Sequence, residues 1–271
     1  RYVTSLLELY APLKSSHMKL SCLFIFTLFF TFIFGQKTPL PNQKTAVLIV
    51  GNDAQSHAVG HLNSLATIFQ ANGIFVYKFY YPNARWSDIK AKANNCSFFI
   101  YTGHGFSNGG FDGEFGGLYI NEFVMAKDIV DGIQFKYKPL IIYLNACGSH
   151  GSSAGDPADI GIAEANKRIN DTALPFFMVG AGGYFATSSL ISGFLENFLA
   201  GKSLNTCFRI HAEPWEEILI NKQIVSKNAL NSKYIGISSY AYDDEPNVRR
   251  YSTAYVGPLH YTLQSINQSS K

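Results

Sequence analysis

The chain has 271 residues, of which 47% are hydrophobic, 15% aromatic and 15% charged. This composition excludes a wholly disordered chain, and the sequence has no collagen-like, coiled-coil or multi-span membrane pattern. The 22 Lys and Arg residues against 19 Asp and Glu give a net charge of +3, part of which lies in the first 35 residues. The rest of the chain is nearly neutral and lacks the basic excess that binding to a phosphate backbone requires, so we expect no nucleic-acid partner.

An uncharged apolar run, residues 20–34, follows Lys19 and ends at Gly35. A short basic start, an apolar block and a small residue at its end are typical of a secretory signal peptide. We expect residues 1–35 to be upstream sequence plus a signal peptide that starts at Met18 and is cut after Gly35. The alternative is an uncleaved membrane anchor, but the run is shorter than the about 20 residues that a span needs. The predicted location is secreted or another extracytoplasmic compartment, with no stable membrane span after signal removal.

After a polar linker at residues 36–43, short apolar runs that are typical of buried strands alternate with helical patterns. The strands are predicted at residues 45–50, 74–80, 97–101, 139–144 and 174–179. The helices are predicted at residues 62–69, 87–92, 121–132, 160–169, 188–200 and 203–225. A glycine-rich stretch, 108–117, leads into Leu118–Ile120 and indicates a β-hairpin excursion. Residues 231–271 are rich in Tyr and Ser, and we interpret them as a polar C-terminal extension.

Strands that alternate with helices form right-handed βαβ units and a mostly parallel sheet. The predicted fold class is therefore α/β, with a doubly wound, mostly parallel sheet flanked by helices. We expect a single domain over residues 44–230 with a small β-hairpin excursion. In such a sheet the functional groups lie beyond the carboxyl ends of the strands.

Two of the predicted strand ends carry residues suited to nucleophilic catalysis. His104 and Gly105 follow the strand at 97–101, and Cys147 follows the strand at 139–144. If these strands are neighbours, their ends lie about 5 Å apart, and the two side chains can meet over the sheet edge. The imidazole would favour the reactive thiolate and later protonate the leaving group. The backbone N–H groups of Gly105 and Cys147 would form an oxyanion hole.

Each of these residues also has a structural interpretation. A cysteine at a strand end is often inert packing, and a lone histidine in a turn is often held by a hydrogen bond. The functional interpretation is favoured because His104 and Cys147 fall at the same edge of one sheet, each beside a glycine.

The segment Tyr101-Thr-Gly-His-Gly105, the glycine-rich hairpin, and the apolar strand that runs into Asn145-Ala-Cys-Gly-Ser149 resemble the caspase-like cysteine peptidases. That superfamily includes caspases, metacaspases, legumains, gingipains, clostripain and CHAT-type domains. The resemblance covers residues 44–202. It implies hydrolysis of a peptide bond through a thioester, with Cys147 as nucleophile and His104 as base and acid. It implies no cofactor, and no metal ligand is assigned.

Five further positions are secondary candidates. Asn52 stands where legumains have an asparagine that orients the histidine, although the Asn-Asp pair more simply forms an ordinary turn. Metacaspases have an acid two places before the cysteine, where this chain has Asn145, so that position does not support a preference for Arg or Lys. Asp112 and Glu114 are either pocket residues that attract a basic side chain or solvated turn residues. Gly182 would line the cleft floor or serve only its turn.

Removal of a signal peptide would leave Cys96, Cys147 and Cys207, so at least one thiol stays unpaired in an exported protein. Whether Cys96 and Cys207 pair stays open, as does the oligomeric state. The sequence thus predicts an exported cysteine endopeptidase that acts on a polypeptide substrate. The alternatives are a catalytically silent binding or assembly module of the same fold, and a thiol amidase or transpeptidase that uses the same dyad.

Overall fold

The computed structural model describes residues 38–111, 114–156, 159–213, 216–223, 233–242 and 245–267. Residues Asn42–Lys271 cluster as one compact unit, and the other unit is Arg1–Pro41. The predicted signal peptide lies outside the described residues.

An eight-stranded sheet forms the centre of the larger unit, and a two-stranded hairpin lies outside it. The strands are β1 (Thr45–Val50), β2 (Phe75–Tyr80), β3 (Phe98–Thr102), β4 (Leu118–Tyr119), β5 (Phe123–Val124), β6 (Leu140–Leu144), β7 (Gly183–Thr187), β8 (Glu217–Gln223), β9 (Lys233–Tyr242) and β10 (Glu245–Gly257). The order across the sheet is β2-β1-β3-β6-β7-β10-β9-β8, with the hairpin formed by β4 and β5. The first five strands in that order are parallel, and the last three are antiparallel additions.

The helices cover both faces of this sheet. They are α1 (Ala58–Ala71), α2 (Trp86–Ala93), α3 (Ala126–Gly132), α4 (Gly161–Met178), α5 (Ser192–Leu199) and α6 (Leu204–His211). Alternate residues of each parallel strand enter two separate hydrophobic clusters, one with α2, α3 and α4 and the other with α1, α5 and α6. Because both faces are buried, β1, β3 and β6 consist of continuous apolar residues, as expected for a parallel sheet. The α/β prediction is confirmed.

Two predicted elements are wrong. Residues 174–179, predicted as the fifth strand, belong almost entirely to helix α4, where Phe176 and Phe177 are buried while Met178 is exposed. The spacing of Ala165, Ile169 and Phe176 is helical. The strand that follows β6 in the sheet is instead β7, which begins at Gly183. The helix predicted over residues 203–225 ends at His211, and strand β8 follows it.

The domain does not end at residue 230 as predicted, since β9 and β10 belong to the central sheet. The interpretation of residues 231–271 as a separate extension is therefore wrong. These strands bury hydroxyl groups among their apolar side chains, which include Ile235, Ile237 and Val256. Ser238 Oγ lies 2.9 Å from Ser252 Oγ, and Thr187 Oγ1 lies 3.0 Å from Thr253 Oγ1 across the β7–β10 seam. Paired hydroxyls can be buried without an unsatisfied polar atom, so the segment looks polar in sequence although it lies in the core.

Candidate active site

Strands β3 and β6 are direct neighbours, which the placement of the candidate dyad requires. They pair in parallel along their whole length, with Thr102 opposite Leu144. The chain therefore leaves both strands at the same edge of the sheet. The loop that carries His104 and the turn that carries Cys147 start side by side.

The turn after β6, which carries Cys147, contains two residues with a positive φ. Asn145 has a φ of 55°, a left-handed conformation that asparagine tolerates better than most residues, and Gly148 has a φ of 76°. Asn145 N–H donates to the Thr187 carbonyl, and Gly148 N–H donates to the Ser152 carbonyl. The turn is thus held on both sides of Cys147.

Gly105 packs directly against the backbone of Cys147. A Cβ atom on Gly105 would lie 2.0 Å from the carbonyl oxygen of Cys147 and 2.8 Å from its nitrogen, so only glycine allows this approach. Within the described residues, the backbone N–H groups of Gly105 and Cys147 donate to no hydrogen bond. An oxyanion hole needs N–H groups that are free to donate to a substrate oxygen, and among the described hydrogen bonds these two groups meet that condition.

The Cys147 thiol differs from the other two thiols of the described chain. Cys147 is partly exposed, whereas Cys96 and Cys207 are buried. Burial raises the pKa of Cys96 far above its usual range and raises that of Cys207 to about 11, which makes both thiols poor nucleophiles. All three cysteines are free, and Cys96 and Cys207 belong to the clusters on opposite faces of the sheet, so they do not pair.

Cys147 opens into a cleft of about 420 Å³. The residues that line it include Asn145, Cys147, His150, Ser188, Arg250 and Tyr251. The cleft thus lies between the turn after β6, the end of β7 and strand β10. His104 is not among its lining residues, and the imidazole that does line it belongs to His150.

His150 is held in one tautomer by its surroundings. Its side chain is 8% exposed, and Nδ1 lies 2.7 Å from the Tyr251 carbonyl oxygen. A carbonyl only accepts, so Nδ1 carries the proton and Nε2 keeps its lone pair. Burial lowers the pKa of His150, which favours the neutral ring.

The His104 side chain is exposed, and the backbone of its loop is fixed by a tyrosine. Tyr101 Oη donates to the His104 carbonyl at 2.8 Å and accepts from Tyr119 N–H at 3.1 Å. Asn52, the candidate for orienting the histidine, instead donates through Nδ2 to Tyr119 Oη at 2.8 Å. Among the described contacts Asn52 has no hydrogen bond to His104, so its visible role is to anchor the β4–β5 hairpin.

Of the four remaining candidates, one lies inside the cleft, two lie outside it and one is not described. Asn145 lines the cleft. Glu114 forms an ion pair with Lys167 on α4 and is not a cleft residue. Asp112 lies outside the described residues. Gly182 is misplaced by the prediction: its N–H donates to the Pro139 carbonyl before β6, at the opposite edge of the sheet from Cys147.

Among the cleft residues that the sequence did not predict are two with ionisable side chains, His150 and Arg250. His150 lies three residues after Cys147, and this short spacing is the one signal that could have placed it near the thiol. Arg250 comes from a segment without a recognisable pattern, and only the pairing of β10 with β7 brings it to the site.

No described helix is both long and apolar enough to cross a membrane. Over the same residues, His, Cys, Asp and Glu side chains form no group of three or more that could hold a metal ion. A comparison with models of known protein families finds none that matches the chain, and a comparison with curated proteins finds no relative.

Proposed function

We propose that this protein is a cysteine endopeptidase in which Cys147 is the nucleophile and His104 is the general base and acid. The observation that carries the proposal is the contact between Gly105 and the Cys147 backbone; neither N–H group has a partner among the described hydrogen bonds, and the thiol is partly exposed. The resemblance of the two loops to the caspase-like peptidases supports the same assignment. Export of the enzyme remains part of the proposal and rests on the sequence of residues 1–35.

The proposed reaction proceeds in two steps. His104 takes the thiol proton, and the Cys147 sulfur attacks the carbonyl carbon of the peptide bond. The Gly105 and Cys147 N–H groups donate to the oxygen that becomes negative. When the tetrahedral intermediate collapses, the C–N bond breaks, the amine takes the proton from His104, and a thioester remains. Water then attacks the thioester with His104 as base, which releases the carboxylic acid and restores the thiol.

A catalytically silent binding module is the second candidate. The exposure of the His104 side chain and its position outside the residues that line the cleft favour this alternative. A loop that carries a catalytic histidine can also close on substrate, and contacts in an empty site are often long. The two candidates therefore differ in turnover rather than in fold.

Digestion of a library of denatured proteins separates these functions. We expect new amino termini in the products, and none when the enzyme is first alkylated at Cys147. Loss of side-chain amides without backbone cleavage would indicate a thiol amidase instead. A protein that binds peptides but yields no new termini over many hours would be the silent module.

A further inference from the structure

The two N–H groups proposed for the oxyanion hole belong to the peptide units His104–Gly105 and Ala146–Cys147. The one cis peptide bond of the described residues is Tyr81–Pro82, so both of these units are trans. In a planar trans peptide the C=O and the N–H point in opposite directions. A group that fixes the carbonyl of either unit therefore also fixes the direction of its N–H.

The His104 carbonyl is held by the hydroxyl of Tyr101, a fully buried side chain of β3. Tyr101 Oη donates to this oxygen at 2.8 Å and accepts from Tyr119 N–H at 3.1 Å, while the Tyr119 carbonyl is a more distant acceptor at 3.2 Å. Burial raises the pKa of Tyr101 far above its ordinary value, so the hydroxyl keeps its proton and acts as a donor. The Gly105 N–H, at the other side of the same peptide unit, thus points away from Tyr101.

The Ala146 carbonyl is held by Ser149, whose side chain is also buried. Ser149 Oγ donates to this oxygen at 2.5 Å, and Ser149 N–H donates to it at 3.1 Å. The Ser149 carbonyl in turn accepts from Tyr184 Oη at 3.0 Å, and the Tyr184 ring lies in the hydrophobic core. The serine is therefore fixed from the core side, and the Cys147 N–H points away from its hydroxyl.

Both hydroxyls can act on the reaction only through these peptide units. Neither Tyr101 nor Ser149 is among the residues that line the cleft, so neither side chain contacts a ligand there. A hydrogen bond to a carbonyl also polarises its peptide unit, which makes the N–H of that unit a stronger donor. The buried hydroxyls thus influence both the direction and the strength of the two donors.

We propose that Tyr101 and Ser149 are positioning residues, which orient the two N–H donors of the oxyanion hole by holding the carbonyls of their peptide units. The inference rests on the proposed function, because these donors matter only when the Cys147 sulfur attacks a carbonyl carbon. The carbonyl oxygen gains negative charge during this attack, and an N–H stabilises the charge only when it points at that oxygen.

Two small reagents separate the orientation of the donors from the reactivity of the thiol. With p-nitrophenyl acetate the sulfur adds to the carbonyl carbon, the oxygen becomes negative, and the C–O bond then breaks to give p-nitrophenolate and an acetyl thioester. With iodoacetamide the sulfur attacks the methylene carbon and iodide leaves, so no oxygen gains charge.

Both reactions need the Cys147 thiolate, so the ratio of the acylation rate to the alkylation rate reports stabilisation of the oxyanion. Release of p-nitrophenolate that survives prior alkylation of the protein is subtracted. We expect the ratio at Cys147 to exceed that of a free cysteine peptide by about 100-fold, the lower end of the effect of one oxyanion donor.

Two variants remove the hydroxyls and leave the rest of each side chain in place. Tyr101→Phe and Ser149→Ala should each lower the ratio about tenfold, because one donor is no longer held in the productive direction. Tyr261→Phe and Ser238→Ala are the matched controls. Tyr261 Oη donates to the Lys138 carbonyl at 2.6 Å, far along the sheet from Cys147, and Ser238 Oγ is buried 2.9 Å from Ser252 Oγ. Both controls should lose stability and keep the wild-type ratio.

The outcomes separate this inference from the proposed function. A wild-type ratio equal to that of the free peptide, or a fall of the same size in the controls, would overturn the inference, and an unchanged ratio in either variant would overturn the role of that residue. If both variants fail to fold, Tyr184→Phe is the milder substitute, since it frees only the Ser149 carbonyl and should lower the ratio about threefold. A raised ratio that falls in the variants, in a protein that cleaves no peptide, would refute the peptidase and support the orientation of the donors.

Discussion

The two edges of the parallel sheet differ in whether other parts of the chain cover them. At the carboxyl edge, Cys147 opens into a cleft, and its backbone N–H has no partner among the described hydrogen bonds. At the amino edge, Cys96 is buried, and Gly182 is covered by the ring of Tyr261, whose hydroxyl donates to the Lys138 carbonyl. One edge is closed by the C-terminal segment and the other is left open. Similar residue types therefore serve structure at one edge and are available for chemistry at the other.

Replacement of a cysteine at each edge should give opposite outcomes. Cys147→Ala should lower peptide cleavage by at least about 10³-fold, because it removes the proposed nucleophile, while the thermal midpoint stays within about 2 °C. Cys96→Ala should leave kcat within about twofold but cost about 1–2 kcal/mol of stability, since it empties a buried position. Cleavage near the wild-type rate in purified Cys147→Ala would eliminate Cys147 as the nucleophile.

Replacement of a glycine at each edge should separate geometry from stability. In Gly105→Ala the added methyl collides with the Cys147 backbone, and the two loops must move apart, so kcat should fall about 100-fold. In Gly182→Ala the methyl would lie 2.4 Å from the Tyr261 ring, so the melting temperature should fall while kcat of the folded enzyme is kept. Steady-state kinetics and thermal melts on both variants provide the comparison. An unchanged kcat in Gly105→Ala would contradict a catalytic role for the contact between Gly105 and the Cys147 backbone.

Asn145 tests the left-handed turn of the carboxyl edge. Asn145→Ala should lower the free energy of unfolding by about 1 kcal/mol, because a positive φ is unfavourable for alanine. Asn145→Gly should not lower it, because glycine adopts a positive φ without strain. Urea unfolding of both variants measures the difference. If the Asn145→Ala and Asn145→Gly variants have equal free energies of unfolding, the positive φ does not constrain which residue the turn accepts.

The buried histidine of the carboxyl edge predicts a small pH effect. Burial lowers the pKa of His150 from its ordinary value, so the unfolded chain binds more protons near pH 6 and stability falls as the pH drops below about 6.5. The slope for one histidine approaches about 1.4 kcal/mol per pH unit. His150→Asn keeps a donor for the Tyr251 carbonyl but cannot titrate, so its unfolding free energy should change less between pH 7.5 and 5.5. Equal slopes in the two proteins would contradict this.

The parallel half of the sheet could be predicted from sequence because its strands are continuous apolar runs. Four of the five predicted strands match observed strands, and the pairing of β3 with β6 puts Gly105 against Cys147 as expected. The prediction of a strand at 174–179 was wrong because a short apolar run at the buried end of a helix has the same pattern as a buried strand.

The antiparallel half could not be predicted, because its buried apolar side chains alternate with buried hydroxyl residues, some of which pair across strands. This failure also hid part of the site. Arg250 and Tyr251 reach the cleft only through long-range strand pairing, and the Nδ1 bond of His150 depends on the same pairing. Cys147 and Gly105 could be identified from local patterns as a candidate nucleophile and its neighbour, whereas the cleft wall formed by β10 depends on contacts about 100 residues apart in the chain.

The pH dependence of Cys147 alkylation by iodoacetamide tests most directly whether the two loops form one catalytic unit. If His104 acts on the thiol, labelling of Cys147 at pH 6 should be at least about tenfold faster than that of a free cysteine peptide. The excess should vanish in His104→Ala and persist in His260→Ala, which changes an exposed histidine beyond β10. A rate no faster than that of the free peptide, or one that His104→Ala leaves unchanged, would contradict the dyad.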